Sequence, residues 1–89
     1  MVIVWDEAKR LSNLVKHGLD FASIERSFDF ERAIVLPAKA SKSGRPRLRI
    51  IGEMDSGLVA LVASPLGAEA LAIISLRPAS KQERKFHEG

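Results

Sequence analysis

The spacing of apolar and polar positions changes period several times along the chain, and each change marks an element. Val2-Ile3-Val4-Trp5 is a β-branched and aromatic run that predicts a first strand, and Asp6 behind it is a good N-cap. Ala8, Leu11, Leu14 and Val15 then recur at helical spacing, with Lys9, Asn13 and Lys16 opposite them. The spacing predicts a helix from Glu7 to His17 that buries the first set and exposes the second. Gly18 stands where a left-handed residue ends a helix. Asp20 opens a second, shorter helix with Phe21, Ile24 and Phe28 on one stripe, and the two helices are expected to pack as a pair.

The period then falls to two. Ala33 to Leu36 reads as a strand that Pro37 ends or marks as an edge, and the Lys-, Ser-, Gly- and Pro-rich stretch Ala38 to Pro46 reads as a mobile loop. Arg47-Leu48-Arg49-Ile50 alternates, so Leu48 and Ile50 go inward and the two arginines outward. Asp55-Ser56-Gly57 turns the chain into a strand over Leu58 to Ala63, and Ser64 to Glu69 turns it again into Ala70 to Leu76. That last strand delivers Arg77 and leads to Ser80-Lys81-Gln82-Glu83. These four residues have the spacing of a capping box and open a basic helix carrying Lys81, Arg84, Lys85 and His87.

The resulting expectation is an α+β fold in one domain, residues 1–89. It has an antiparallel sheet with two N-terminal helices and a short C-terminal helix, in the order βααββββα. The helices are expected on one face, leaving Arg47, Arg49 and Arg77 on the other as a shallow groove for an extended anion.

Composition narrows the class. At 46% hydrophobic and 28% charged residues the chain has apolar surface enough to fold, while 89 residues leave it a modest stability margin that a partner would improve. There is no apolar run of about 18 residues and no signal-peptide pattern at the N-terminus, so a cytoplasmic protein without membrane attachment is expected. The absence of cysteine excludes disulfides and thiolate zinc sites, and two histidines near opposite ends make a poor metal set. Metal-free chemistry is therefore expected, with no cofactor. The net charge of +3 is unevenly placed: Lys39, Lys42, Arg45, Arg47 and Arg49 run without an intervening acid, and Arg77, Lys81, Arg84 and Lys85 outnumber Glu83 and Glu88. Clustered cations suit a polyanion, although they also serve as solubilising surface.

Trp5-Asp6, Lys16-His17-Gly18 followed by Phe21, the Arg47…Ile50-Ile51-Gly52 strand, and Ile73-Ile74-Ser75-Leu76-Arg77 leading to Glu83-Arg84 together resemble the BrnT toxin family, over essentially the whole chain. The resemblance implies a RelE-like microbial ribonuclease fold and a metal-independent RNase toxin of a type II toxin–antitoxin pair. It further implies neutralisation by a BrnA-like antitoxin, an oligomeric complex with it, and contact with operator DNA only through that complex. The chain departs from the family pattern at Ala72, where an Arg is common, and at Ala63-Ser64, where a Tyr is common. A non-catalytic module that binds nucleic acid or antitoxin is the alternative reading.

Metal-free cleavage needs a proton taken from the 2′-OH, charge neutralised on the phosphorane, and a proton given to the leaving oxygen. Arg77 and Arg84 suit the middle task, since guanidinium offers a planar set of donors and stays charged; their plain alternative is surface pairing. Glu83 has the chemistry of a base, and its capping-box position is a complete structural reason for it as well. His17 is of the residue type used most often for acid–base chemistry near neutral pH, and it also sits where a helix C-terminus favours a cation. These four are the catalytic candidates. Lys16, Arg47, Arg49, Lys81 and Trp5 are the RNA-binding candidates, Trp5 either stacking on a base or filling the core.

Overall fold

A computed structural model of residues 1–89 contains one five-stranded sheet in the order β1-β5-β4-β3-β2. The strands are β1 (Val2–Trp5), β2 (Ile34–Ala38), β3 (Arg47–Met54), β4 (Gly57–Leu66) and β5 (Ala70–Pro78). The helices are α1 (Glu7–His17), α2 (Ile24–Ser27) and α3 (Lys81–Glu88). The second helix expected after Asp20 is in fact a 3₁₀ turn, Phe21–Ser23, running into the single turn of α2, so the order βααββββα is modified at that point. Seven residues between Asp20 and the extended Phe28 leave no room for a longer helix to propagate.

The sheet is mixed, not antiparallel. Strands β2 to β5 form the expected meander, but β1 lies parallel to β5, with Val2 opposite Ala70 and Trp5 opposite Ile73. Periodicity identifies a strand and says nothing of its partner. The meander leaves one side of β5 unpaired, and the long connection through the helices and three strands lets β1 fill it in parallel.

The helices are not all on one face. Phe21, Ile24 and Phe28 pack on the main core with Ile3, Ile50, Val59, Leu61, Ala63, Leu71, Ile73 and Leu76. Helix α3 sits on the opposite face, where Ile51, Ala60 and Ala79 form a second, smaller core flanked by Ile34, Leu36 and Leu58. Leu48 and Ile50 point to the main core and Arg49 away from it, as the alternation predicts. Pro37 lies within edge strand β2. The turn between β4 and β5 is shorter than expected, because β4 continues through Pro65, which stands opposite Leu71.

Helix α1 is rotated from the expected orientation. Asp6 caps it by accepting from the Ala8 and Lys9 amides, and Gly18 ends it at φ 70°. Yet Asn13 is its buried residue, while Leu11 and Val15 are 50% and 90% exposed. Asn13 Nδ2 donates to Leu76 O at 2.8 Å and to Leu19 O at 3.0 Å, and its Oδ1 accepts from Leu76 N at 3.0 Å. β1 stops opposite Ile73, and the Asn13 amide pairs the β5 edge beyond that point, much as a neighbouring strand would. Those hydrogen bonds, rather than the apolar stripe, set the roll of the helix.

A bulge in β5 completes the frame. Val62 pairs with Ser75 and Ala63 with Ile73, so Ile74 has no partner across the ladder. The core residues Leu71, Ile73 and Leu76 are accordingly spaced by two and then by three. The slip places Ser75 and Arg77 on the α3 face, in line with Val62 and Ala60. No helix is long and apolar enough to cross a membrane.

Candidate functional site

The centre of the α3 face is a three-residue ion cluster. Arg77 donates from Nη1 to Glu83 Oε1 at 2.7 Å and from Nη2 to Oε2 at 2.9 Å, and Arg49 Nη1 donates to Oε2 at 3.1 Å. The Ser80 amide donates to Oε1 at 2.9 Å, and the Ser80 hydroxyl accepts from the Glu83 amide, closing the capping box. Every acceptor direction of the Glu83 carboxylate is taken, and the residue is 1% exposed. The Arg77 hydrogen bonds hold its carboxyl down at about 2 against an ordinary 4.5, outweighing the opposing effect of burial. Arg77 is correspondingly raised, chiefly by its bonds to Glu83.

Both guanidinium groups remain partly open, Arg77 at 31% and Arg49 at 33% of the side chain. The Arg49 Nε donates to Pro37 O at 3.0 Å, which ties that side chain to edge strand β2. The fork of Arg77 and the head of Arg49 are therefore fixed before any ligand arrives, with donors to spare on each.

Two hollows meet at the bulged part of β5. One, of about 410 Å³, runs between α1 and the bulged part of β5 and is lined by Lys9, Ser12, Lys16, His17, Ile74 and Ser75, among others. Its neighbour lies under the β2–β3 loop and is lined by Lys9, Ser41, Arg45, Arg47, Ser64 and Ile74, among others. Lys9 and Ile74 belong to both, so the basic residues form one track. The Nε of Arg47 is buried without a hydrogen-bond partner. The β2–β3 loop contains a turn: Gly44 N donates to Ser41 O, Arg45 N to Ser41 Oγ, and Ser64 Oγ donates to Pro46 O at the foot of the loop.

Of the residues singled out in the sequence, Arg49, Arg77 and Glu83 are in direct contact. Lys16 and His17 share the first hollow, and Arg47 lines the second. Arg84 and Lys81 do not join them: Arg84 lies in a separate hollow with Glu53, Asp55, His87 and Glu88, and Lys81 is exposed in the first turn of α3. Trp5 packs edge-on to Phe21 at 6.4 Å between ring centroids and donates from Nε1 to Glu7 Oε2, so its ring belongs to the margin of the core. Lys9 was assigned only to a solvent face by periodicity, and Asn13 likewise. The available signal for Asn13 was its type, since Asn competes with helical backbone hydrogen bonds and is ill suited to a helix interior unless its side chain has a partner.

Two comparisons with known proteins bear on this arrangement. Residues 5–83 match the family described as "Ribonuclease toxin, BrnT, of type II toxin-antitoxin system". The crystal structure of the Brucella abortus ribonuclease toxin, BrnT, is similar at 45% sequence identity and a TM-score of 0.71, over 91% of this chain and 99% of that one. Among curated proteins, no match is found.

Proposed function

The chain belongs to the BrnT family of ribonuclease toxins from type II toxin–antitoxin systems, and from that premise we propose that it cleaves RNA without a metal, using Arg77 and Arg49 as a paired clamp on the reacting phosphate. The observation that carries this reading is the pair of guanidinium groups preorganised on the buried Glu83 carboxylate. In the reaction, the 2′-oxygen attacks phosphorus, the P–O5′ bond breaks, and a 2′,3′-cyclic phosphate remains. Negative charge grows on the equatorial oxygens during this step, and donors already fixed in position stabilise it without a reorganisation cost. The charged residues that line the two hollows are Lys9, Lys16, Arg45 and Arg47, against the single carboxylate of Asp6, which is itself engaged in capping α1. This excess of cations disfavours a divalent metal ion and attracts a phosphodiester, which supports a metal-independent route.

Glu83 is a positioning residue in this scheme. A carboxyl held near 2, with all its acceptor directions used, has no affinity to spare for a substrate proton. His17 is the proton-transfer group, placed with Lys16 in the hollow next to Ser75, and Lys9 and Arg47 guide the flanking phosphates. Arg84 lies outside the clamp and contributes to long-range attraction only, as does Lys81. The partner is a BrnA-like antitoxin, and any operator DNA is reached through it.

The test is an RNA-cleavage assay on the purified chain with a chelator in excess. Undiminished cleavage with cyclic-phosphate ends is the expected result. Loss of cleavage restored by a divalent ion overturns the metal-free route. A parent chain that binds antitoxin and never cleaves RNA assigns the protein to the non-catalytic alternative, for which Ala72 in the second hollow is the specific motive.

A further inference from the structure

Helix α1 exposes the stripe that its sequence was patterned to bury. Ala8, Leu11 and Val15 follow one another at intervals of three and four, and none of them contributes to either core. Val15 is 90% exposed and Leu11 50%. The roll that exposes them is enforced by the Asn13 amide on β5, so the stripe cannot turn inward without breaking three hydrogen bonds. It spans about 10 Å, or two helical turns.

The flanks of the stripe differ in charge. On one side Glu7 and Asp20 are both paired with Arg10, which neutralises that edge. On the other side stand Lys9 and Lys16, neither of them in any of the ion pairs of the chain, and both lining the hollow beside His17. An apolar stripe with uncompensated cations along one border complements an amphipathic helix with Leu- or Ile-type residues at matching intervals and carboxylates along one side. RNA has no use for an aliphatic stripe, since it binds through cations and stacking rings. A second copy of this chain docked antiparallel would set Lys9 and Lys16 against their own equivalents.

We infer that Ala8, Leu11 and Val15 dock an acidic amphipathic helix of the antitoxin, whose carboxylates reach Lys9 and Lys16 and close the basic hollow of α1 and β5 to RNA. The inference rests on the toxin–antitoxin reading above and adds the surface through which neutralisation works. It makes inhibition a matter of covering the His17 and Lys16 side of the track while leaving the Arg77 and Arg49 clamp intact beneath.

The variant Leu11→Gln/Val15→Gln tests it, because Gln keeps helix propensity and charge and both positions are exposed. The full-length antitoxin encoded beside the gene is titrated into parent and variant while RNA cleavage and complex formation are followed. The variant is expected to melt with the parent, to cleave RNA at the parental rate, and to need at least ten-fold more antitoxin for half inhibition. Val15→Gln alone, at the most exposed position, gives the same direction if the double variant folds poorly. Equal inhibition of parent and variant overturns the docking stripe and leaves the toxin–antitoxin reading standing. A parent that this antitoxin neither binds nor inhibits overturns both. A parent that sediments as a dimer, and a variant that sediments as a monomer, gives the stripe to a second copy and overturns the inference.

Discussion

At the scale of single residues, the decisive fact is that one buried carboxylate serves two guanidinium groups. The sequence puts Arg77 at a strand end on an open sheet face, and substitution of a side chain that merely faces water costs little. In the fold it is the main partner of a carboxylate that is 1% exposed, so Arg77→Ala both removes a phosphate donor and strips a buried charge. We expect Arg77→Ala to lower cleavage by on the order of 10²-fold and to destabilise the chain by about 2–4 kcal/mol. Arg77→Lys separates the two effects: it keeps a cation on Glu83 and loses the fork, so stability recovers further than rate. Urea unfolding and initial cleavage rates, both taken where each variant is fully folded, check this, and an Arg77→Lys chain with parental activity removes Arg77 from the site. The capping box at Ser80 and Glu83 was readable from spacing. The meeting of Glu83 with Arg49 was not, because β3 and α3 are brought together only by the sheet.

Individual elements were legible to different depths. Both caps of α1 follow from Asp6 and Gly18, β3 from its alternation, and β4 and β5 from apolar runs bounded by turn residues, since these signals are local. The roll of α1, the parallel partner of β1 and the bulge at Ile74 depend on contacts between distant segments, and no pattern within a single element encodes them. Gly52 shows how tightly two elements can be coupled. A Cβ at that position would lie 2.7 Å from Phe28 Cζ and 3.2 Å from the Ala33 Cβ, so β3 and the segment after α2 meet where only glycine fits. Gly52→Ala is expected to cost about 1–3 kcal/mol, read as a lower urea midpoint with an unchanged slope. A midpoint equal to the parent's shows that Phe28 moves aside freely.

For the molecule as a whole, the Glu83 cluster ties stability to acidity. Its carboxyl sits at about 2 in the folded chain and at 4.5 when unperturbed, so folding is favoured in full above pH 4.5, and that contribution disappears as pH falls toward 2. The amount at stake is on the order of 3 kcal/mol. Urea midpoints measured from pH 7 down to pH 2 are expected to fall steeply in the parent over the acid part of the range and more gently in Glu83→Gln. Identical acid profiles in the two proteins exclude Glu83 as the source.

The pairing of the first strand with the last also governs the time at which this protein comes into being. β5 lies between β1 and β4 in the sheet, and Asn13 reaches across 63 residues of sequence to hold it. A nascent chain that has not yet produced residues 70–78 can therefore close neither the sheet nor the edge under α1, and the meander alone leaves Arg49 without its carboxylate. Contacts of such long range are made slowly and near the end of folding. Synthesis itself thus delays the appearance of a competent surface until almost the whole chain has been made.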